Sequence, residues 1–274
     1  MTGWLIYDKK GYERNKWFAG ELVKYLACRL IIAEELEFGI DGGCYFKYRG
    51  EAVTRPDYAV QRSIYPLLSM ALEQSGVRVF NSAGVCEICN DKRRTHLLAA
   101  QLGIPTTKTA FSDKKFLSVP QTDMPFVLKS ADGHGGSEVF MVNNKAEFDT
   151  ALNSIYSDGV LFQKPVSHLG VDKRVYVLGG SVLAAVERRA KEGFKSNFSL
   201  GGSAVLSSVT ANEEQIISKM VNAIKPDFVG IDFIYDNGQS VLNEVEDIVG
   251  TRMLYELTDI DAAKRYAEYI IKQI

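Results

Sequence analysis

Residues 241–250 read VLNEVEDIVG, an apolar strand that sets Glu244, Glu246 and Asp247 almost side by side where the chain is about to be buried. Side chains of a strand alternate faces, so Glu244 and Glu246 share one face while Val245 points the other way. The preceding strand, FVGIDFIY at 228–235, carries a single charge, Asp232. If Asp236, Asn237 and Gly238 form a three-residue loop, Tyr235 pairs with Gln239 and Asp232 lies opposite Leu242, diagonal to Glu244 on one face; a two-residue loop separates them. Three like charges on one sheet face repel unless a cation sits between them, and hard divalent cations take oxygen ligands of this kind. The pattern points to a Mg²⁺ cluster at Asp232, Glu244 and Glu246, against the plainer alternative of a solvated acidic sheet edge.

At 274 residues the chain suggests two or three domains sharing one body. Its 46% apolar and 24% charged residues are those of an average globular protein, and a net charge of −2 supplies no bulk attraction to nucleic acid or anionic membrane. Any anionic ligand must be held by local groups. The start, MTGWLIYDKKGYERNK, meets charge too early for a signal peptide, and no apolar run approaches a membrane span, so a cytoplasmic protein is expected. Four cysteines are too few for a disulfide scaffold. Cys86 and Cys89 form a lone C-x-x-C that lacks half the ligands of a zinc site and reads as two small packing residues.

From Gly3 to about Phe80 short apolar runs alternate with amphipathic stretches, which predicts a small doubly wound β-α-β domain with a hairpin, CYFKYRGEAVT, appended. Asn90 and Asp91 offer N-cap side chains to KRRTHLLAAQLG, a helix closed by Gly103 with Pro105 beyond it. Two strands joined by a glycine-rich loop, then a helix and the strand VLFQKPV, predict a small α+β subdomain over about 107–162. The remainder is strand-rich and ends in the amphipathic helix DAAKRYAEYIIKQI. The expected units are an N-terminal Rossmann-like domain over 1–88, a linker helix and lid over 89–162, and a C-terminal subdomain with the metal site over 163–274.

In FVLKSADGHGGSEVF, Lys129 ends a strand, and Gly133, Gly135 and Gly136 allow backbone N–H groups to turn toward an anion without Cβ obstruction. A glycine-rich hairpin with an exposed lysine has the same appearance. In VERRAKEGFKSNFSLGGS, Arg188, Arg189, Lys191 and Lys195 crowd one segment with Asn197, as balancing a triphosphate requires; a solvated basic loop is the alternative. The three histidines are scattered, with no Ser–His–Asp arrangement to support a hydrolase; His134 in the glycine loop is either within reach of a substrate or, as the plainer reading, an exposed loop residue.

Taken together these motifs resemble the ATP-grasp ligases, and within them the RimK-like group that adds amino acids to carboxyl groups. The likeness is strong from about Asn90 onward and rests most specifically on AAVERRAKEGFKSNFSLGG and VLNEVE. It implies an α/β ATP-grasp fold, with an α+β lid, preceded by a doubly wound pre-ATP-grasp domain. It implies ATP with Mg²⁺, Mn²⁺ being an alternative, and activation of a carboxylate as an acyl phosphate that an amine then attacks. It implies Lys92 and Lys129 as nucleotide-binding lysines. Gln163, Lys164 and Val166 form the hinge that holds adenine, and Asp172 lies near the ribose. Lys195, Ser196 and Asn197 lie beside the phosphates, Asn197 together with Arg189 in a catalytic role. Asp232, Glu244 and Glu246 are the metal ligands. Alternation along the strand forces one of Arg188 and Arg189 inward, and the resemblance selects Arg189.

Three departures stand out. Glu246 occupies the family's usual asparagine position, Lys195 replaces a usual arginine, and DIVGTRMLYE replaces the small-residue turn after the ligands. The partners implied are a carboxylate, as metabolite, peptide or protein tail, and an amine, with self-association left open. Other readings are a small-molecule-directed ligase of the same chemistry and a nucleotide-binding regulatory or scaffold protein without turnover. A dinucleotide oxidoreductase ranks last because YDKKGYERN lacks the glycine fingerprint.

Overall fold

The computed structural model describes residues 1–117, 120, 122–195 and 201–274. The run GWLIY forms β1 (Gly3–Tyr7), buried along its whole length. After α1 (Lys9–Arg14) and α2 (Lys16–Leu26) comes β2 (Arg29–Ile32), followed by an antiparallel trio, β3 (Leu36–Ile40), β4 (Cys44–Tyr48) and β5 (Glu51–Ala52). Next are β6 (Tyr58–Gln61), α3 (Pro66–Gln74) and β7 (Arg78–Phe80). A parallel sheet of order β2-β1-β6-β7 results, with strands apolar on both faces because helices cover both.

The chain leaves this sheet through α4 (Ala83–Cys89) and α5 (Lys92–Gln101). The Asp91 carboxylate caps α5 by accepting from the Arg93 N–H at 2.9 Å, and Gly103, at φ 62°, ends the turn beyond it. The lid follows: β8 (Thr109–Asp113), β9 (Phe126–Ser130), β10 (Val139–Val142), α6 (Lys145–Ser154) and β11 (Gly159–Gln163), in sheet order β10-β9-β11-β8. Its core is aromatic, with Phe126, Phe148 and Phe162 mutually in contact at centroid separations of 5.3–6.2 Å.

A five-stranded antiparallel sheet of order β14-β13-β12-β15-β16 forms the floor. Its strands are β12 (His168–Leu178), β13 (Ser181–Arg189), β14 (Ser203–Ser207), β15 (Phe228–Asp236) and β16 (Gln239–Glu246). Between β14 and β15, α7 (Ala211–Ile224) opens on a capping box of Thr210 and Glu213. Glu213 is fully buried and also accepts from Lys173 and Ser240, tying the helix to the sheet. Two short helices, α8 (Arg252–Leu257) and α9 (Ala262–Gln273), close the chain. One face of the floor, with Val175, Val177 and Ala185, packs on α7. The other, with Tyr176, Leu178 and Val186, shares a core with β1, α2 and α9. The N-terminal sheet and the floor are therefore welded through common apolar side chains. Among the described residues no helix is long and apolar enough to cross a membrane.

The β15–β16 connection corrects the expected register. Only Asn237 (φ 49°) and Gly238 (φ 76°) form the loop, the positive-φ pair of a two-residue turn, and Asp236 pairs with Gln239. Pairing then runs through Phe233 and Leu242 until Asn243 is left without a partner, and Asp232 faces Glu244 directly. A bulge of one residue thus brings together the two carboxylates that the shorter loop alone would separate.

Candidate active site

Between lid and floor lies a cleft lined by Lys92 from α5, Lys129 from β9, Glu244 and Asn243 from β16, Asp172 from β12 and Arg188 from β13. Lys195 and the glycines of the 133–136 loop reach the same space. Lys92 donates to the Gly133 carbonyl at 2.5 Å and sits 3.4 Å from Glu244, linking the loop to the carboxylate strand. Lys129 donates to Asn243 Oδ1 at 2.9 Å, which gives the bulged residue a function. Burial pulls Lys129 down to about 8. Lys195 donates to the Gly136 carbonyl at 2.9 Å.

At the other end, Lys164, Pro165 and Val166 line the cleft after β11. The Lys164 N–H is used by the Lys108 carbonyl at 3.0 Å. Among the described residues the Lys164 carbonyl and the Val166 N–H carry no such bond, which leaves one acceptor and one donor two residues apart. Gln163 is turned inward, its amide against His96 and Thr109, each at 3.0 Å. His96 is buried, and loss of water holds it at about 4, so it sits beneath the hinge as a neutral ring.

The floor holds a buried charge network. Arg174, paired across the ladder with Asp232, donates to both its oxygens at 2.8 and 2.7 Å and reaches Glu246 at 2.5 Å. Arg188, paired with Asp172, donates to both oxygens of that residue at 2.6 Å and to Asp232 at 2.7 Å. Burial opposes charge on Asp232, but the two arginines outweigh it and hold the carboxyl at about 2. Burial pushes Glu246 up against the pull of Arg174, while for Glu244 burial is opposed by Lys92, Lys129 and Arg174, which together hold it below the usual glutamate range.

Arg188 is therefore the inward arginine, and the choice of Arg189 is corrected. Arg189 is 60% exposed and pairs with its strand neighbour Glu187 on the opposite face. The cause is β12: Asp172, Arg174 and Tyr176 line one face of that strand, and the ladder sets Arg188 opposite Asp172. The convergence of Asp232, Glu244 and Glu246 is also not as expected. Asp232 is turned to arginines, and among the described residues no group of three or more such side chains is gathered at metal-holding spacing. Glu246 Oε2 is buried against the Arg174 guanidinium, while Glu244 opens onto the cleft, so the hard oxygen donors beside the cleft are Glu244, free to face a cation, and Glu246, shared with an arginine. Ser196 and Asn197 lie outside the described residues.

Asp247 answers differently from its neighbours. Its carboxylate accepts from Asn81 at 2.8 Å and Asn90 at 3.0 Å, burial pushes it up, and it faces away from the cleft. It anchors the end of β16 to the N-terminal domain and explains why the strand carries a third acid. Cys86 and Cys89 are buried beside it as free thiols.

A second pocket adjoins the first through Arg188 and Gly135 and is lined by Arg174, Glu246, His134, Arg14, Trp17 and Arg252, among others. Trp17 is 59% exposed and stacks edge-on against Tyr255, with centroids 4.7 Å apart. Arg14 and Arg252 form no ion pair with described residues.

The model of the RimK-like ATP-grasp domain matches residues 89–270. The chain belongs to the RimK-like ATP-grasp family. A probable alpha-L-glutamate ligase of Maridesulfovibrio salexigens is 30% identical over 209 residues, 73% of this chain and 69% of that relative. A ribosomal protein bS6–L-glutamate ligase of Escherichia coli is 29% identical over 206 residues, 72% of this chain and 69% of its own length. The VanG D-Ala:D-Ser ligase of Enterococcus faecalis, at 15% identity, shares the fold with a TM-score of 0.74, covering 99% of this chain and 98% of that one. Within the family frame, Arg174, Asn243 and the second pocket are what the sequence reading missed. The signal for Arg174 was the alternation in DKRVYVL, which is ambiguous because both faces of β12 are buried.

Proposed function

We propose that this chain activates a substrate carboxylate with ATP as an acyl phosphate and joins it to an amine, releasing ADP and phosphate. The observation that carries the reading is one cleft lined by Lys92, Lys129, Lys195 and Arg188 together with Glu244. Cations from the linker helix, the lid and the floor meet where a triphosphate needs neutralising, beside carboxylates that suit a metal ion. The three lysines supply charge to the phosphates, and the Lys164 carbonyl and Val166 N–H suit the edge of an adenine. Asp172 lies near the ribose, and Ser196 and Asn197 extend the phosphate contacts. Glu244 and Glu246, with Asp232 behind them, would hold Mg²⁺ or Mn²⁺, which when bound neutralises and orients phosphate oxygens. Arg188 takes the role first given to Arg189: its guanidinium, fixed by two carboxylates, faces the space where the migrating phosphoryl group gathers charge. The lid, resting on Lys92 through Gly133, excludes the water that hydrolyses an acyl phosphate.

The second pocket is the place for the carboxylate and the amine. The names of the glutamate ligases among the relatives make L-glutamate the first amine to try, and Arg14 and Arg252 suit an anionic substrate. A cytoplasmic setting, without nucleic acid or membrane as partner, fits the charge balance. The test is ADP and phosphate release from MgATP against a grid of dipeptides, dicarboxylic acids and N-acyl amino acids crossed with amino acids. Release that needs both members of a pair supports the ligase. Tight MgATP binding with no release across the grid would leave the scaffold reading in its place.

A further inference from the structure

We propose that His134 is a catalytic residue that takes the proton from the incoming amine as that amine attacks the acyl phosphate. The inference rests on the ligase reading above and concerns its second half-reaction. An amino acid arrives as R–NH₃⁺, which has no lone pair for attack, so a base must stand on the acceptor side of the cleft. His134 occupies that side. It lines the second pocket with Arg174, Arg188 and Glu246, whereas its loop neighbours Gly133 and Gly136 line the nucleotide cleft. The loop is thereby placed at the junction of the two spaces, and Lys92 holds it there through the Gly133 carbonyl.

The carboxylates nearest the nucleotide cleft are occupied. Glu246 is held by Arg174, and Asp232, which stands behind it, is held by Arg174 and Arg188. Glu256, on α8, also lines the pocket but belongs to a different element from the glycine loop that borders the nucleotide cleft. The His134 ring makes no hydrogen bond to a described residue. The charged groups around it are Lys92 on α5, Glu244 and Glu246 on β16, Arg174 on β12 and Arg188 on β13, with Asp132 and Glu138 on its own loop. His134 is exposed on the pocket side of the loop, and partial loss of water and then Lys92 lower its basicity from the ordinary histidine value, which favours the neutral ring able to accept a proton.

The step balances as follows. The ammonium gives one proton to the imidazole, which becomes imidazolium, and the freed lone pair forms the C–N bond at the acyl carbon. The C–O bond to phosphate breaks with its electron pair, and the second amine proton leaves with the phosphate as HPO₄²⁻.

Hydroxylamine separates this role from any role in phosphoryl transfer, because it is unprotonated at neutral pH and needs no base. Wild type, His134→Ala and His134→Gln are each given MgATP and a pool of dipeptides, with either L-glutamate or hydroxylamine as nucleophile. Hydroxamate formation is expected to stay within about twofold in both variants. Amide formation is expected to fall roughly 10²-fold at pH 7, with the deficit shrinking as the pH approaches the pKa of the amine. Equal losses with both nucleophiles, or no loss with either, overturn the proposal. Hydroxamate absent from the wild type overturns the ligase reading, and the proposal with it.

Discussion

Replacing Arg188 with alanine separates the buried arginine from its exposed neighbour. Only 4% of the Arg188 side chain is exposed, and its guanidinium satisfies Asp172 through two hydrogen bonds and Asp232 through a third. Truncation removes the two hydrogen bonds to Asp172 and the one to Asp232, and Asp232 keeps Arg174. Breaking a buried pair costs about 3–5 kcal/mol, and the surviving Arg174 contact places this case at the lower end of that range. At about 2–4 °C per kcal/mol for a chain of this size, the melting temperature should drop by roughly 6–12 °C. Arg189→Ala removes an exposed pair with Glu187, where about 0–1 kcal/mol is at stake. Calorimetric melting without nucleotide measures both, and hydroxamate trapping with MgATP and the dipeptide pool measures the first half-reaction. Arg188→Ala should lose trapping and Arg189→Ala should keep it. Equal thermal shifts, or trapping lost only in Arg189→Ala, would refute the assignment of the inward face.

Glu244→Gln should keep the wild-type melting temperature within about 2 °C and abolish Mg²⁺-dependent release of ADP; near-normal turnover at saturating Mg²⁺ would restore the acidic-edge reading. MgATP affinity should fall as the pH rises through about 8, because burial gives Lys129 its neutral form there while the phosphates bind the charged form. Lys129→Arg, which stays protonated, should flatten that dependence in calorimetric titration. The same burial should make nucleotide-free wild type gain stability relative to Lys129→Met between about pH 8 and 10.5. The folded lysine has lost its proton in that window and the unfolded one has not. For the thiols, a disulfide reagent should modify Cys44 in the native protein and reach Cys28, Cys86 and Cys89 only on unfolding, since those three are buried and burial pushes each thiol up. Fast native labelling of Cys86 or Cys89 would contradict their packing role.

Much of the fold was legible because its strands and helices carry undiluted periodicity. GWLIY and YAVQ read as strands of a covered sheet, Asp91 and Gly103 bracket α5, and VLFQ leads into the hinge. The site was legible as a set of residues and much less as a geometry. Lys92, Lys129, Lys195 and Glu244 do share one cleft. Their arrangement depends on features that spacing does not encode. The Asn-Gly turn is two residues long, and the bulge that restores the Asp232–Glu244 pairing falls at Asn243, which Lys129 reaches from the lid across 114 positions. Which of two adjacent arginines turns inward is decided by the neighbouring strand, since alternation fixes that they differ and not which is which. Asp247 could not be told from Glu246 without its partners Asn81 and Asn90, which lie far off in the chain.

The central claim is that a substrate carboxylate attacks the γ-phosphoryl group, and oxygen-isotope transfer tests it most directly. The pair giving the strongest coupled release in the substrate grid is run with its carboxylate labelled with ¹⁸O, and the phosphate product is weighed by mass spectrometry. The account predicts one ¹⁸O atom in each phosphate released, carried over when the acyl phosphate is cleaved by the amine. Phosphate without label, alongside amide formed at the wild-type rate, would contradict it.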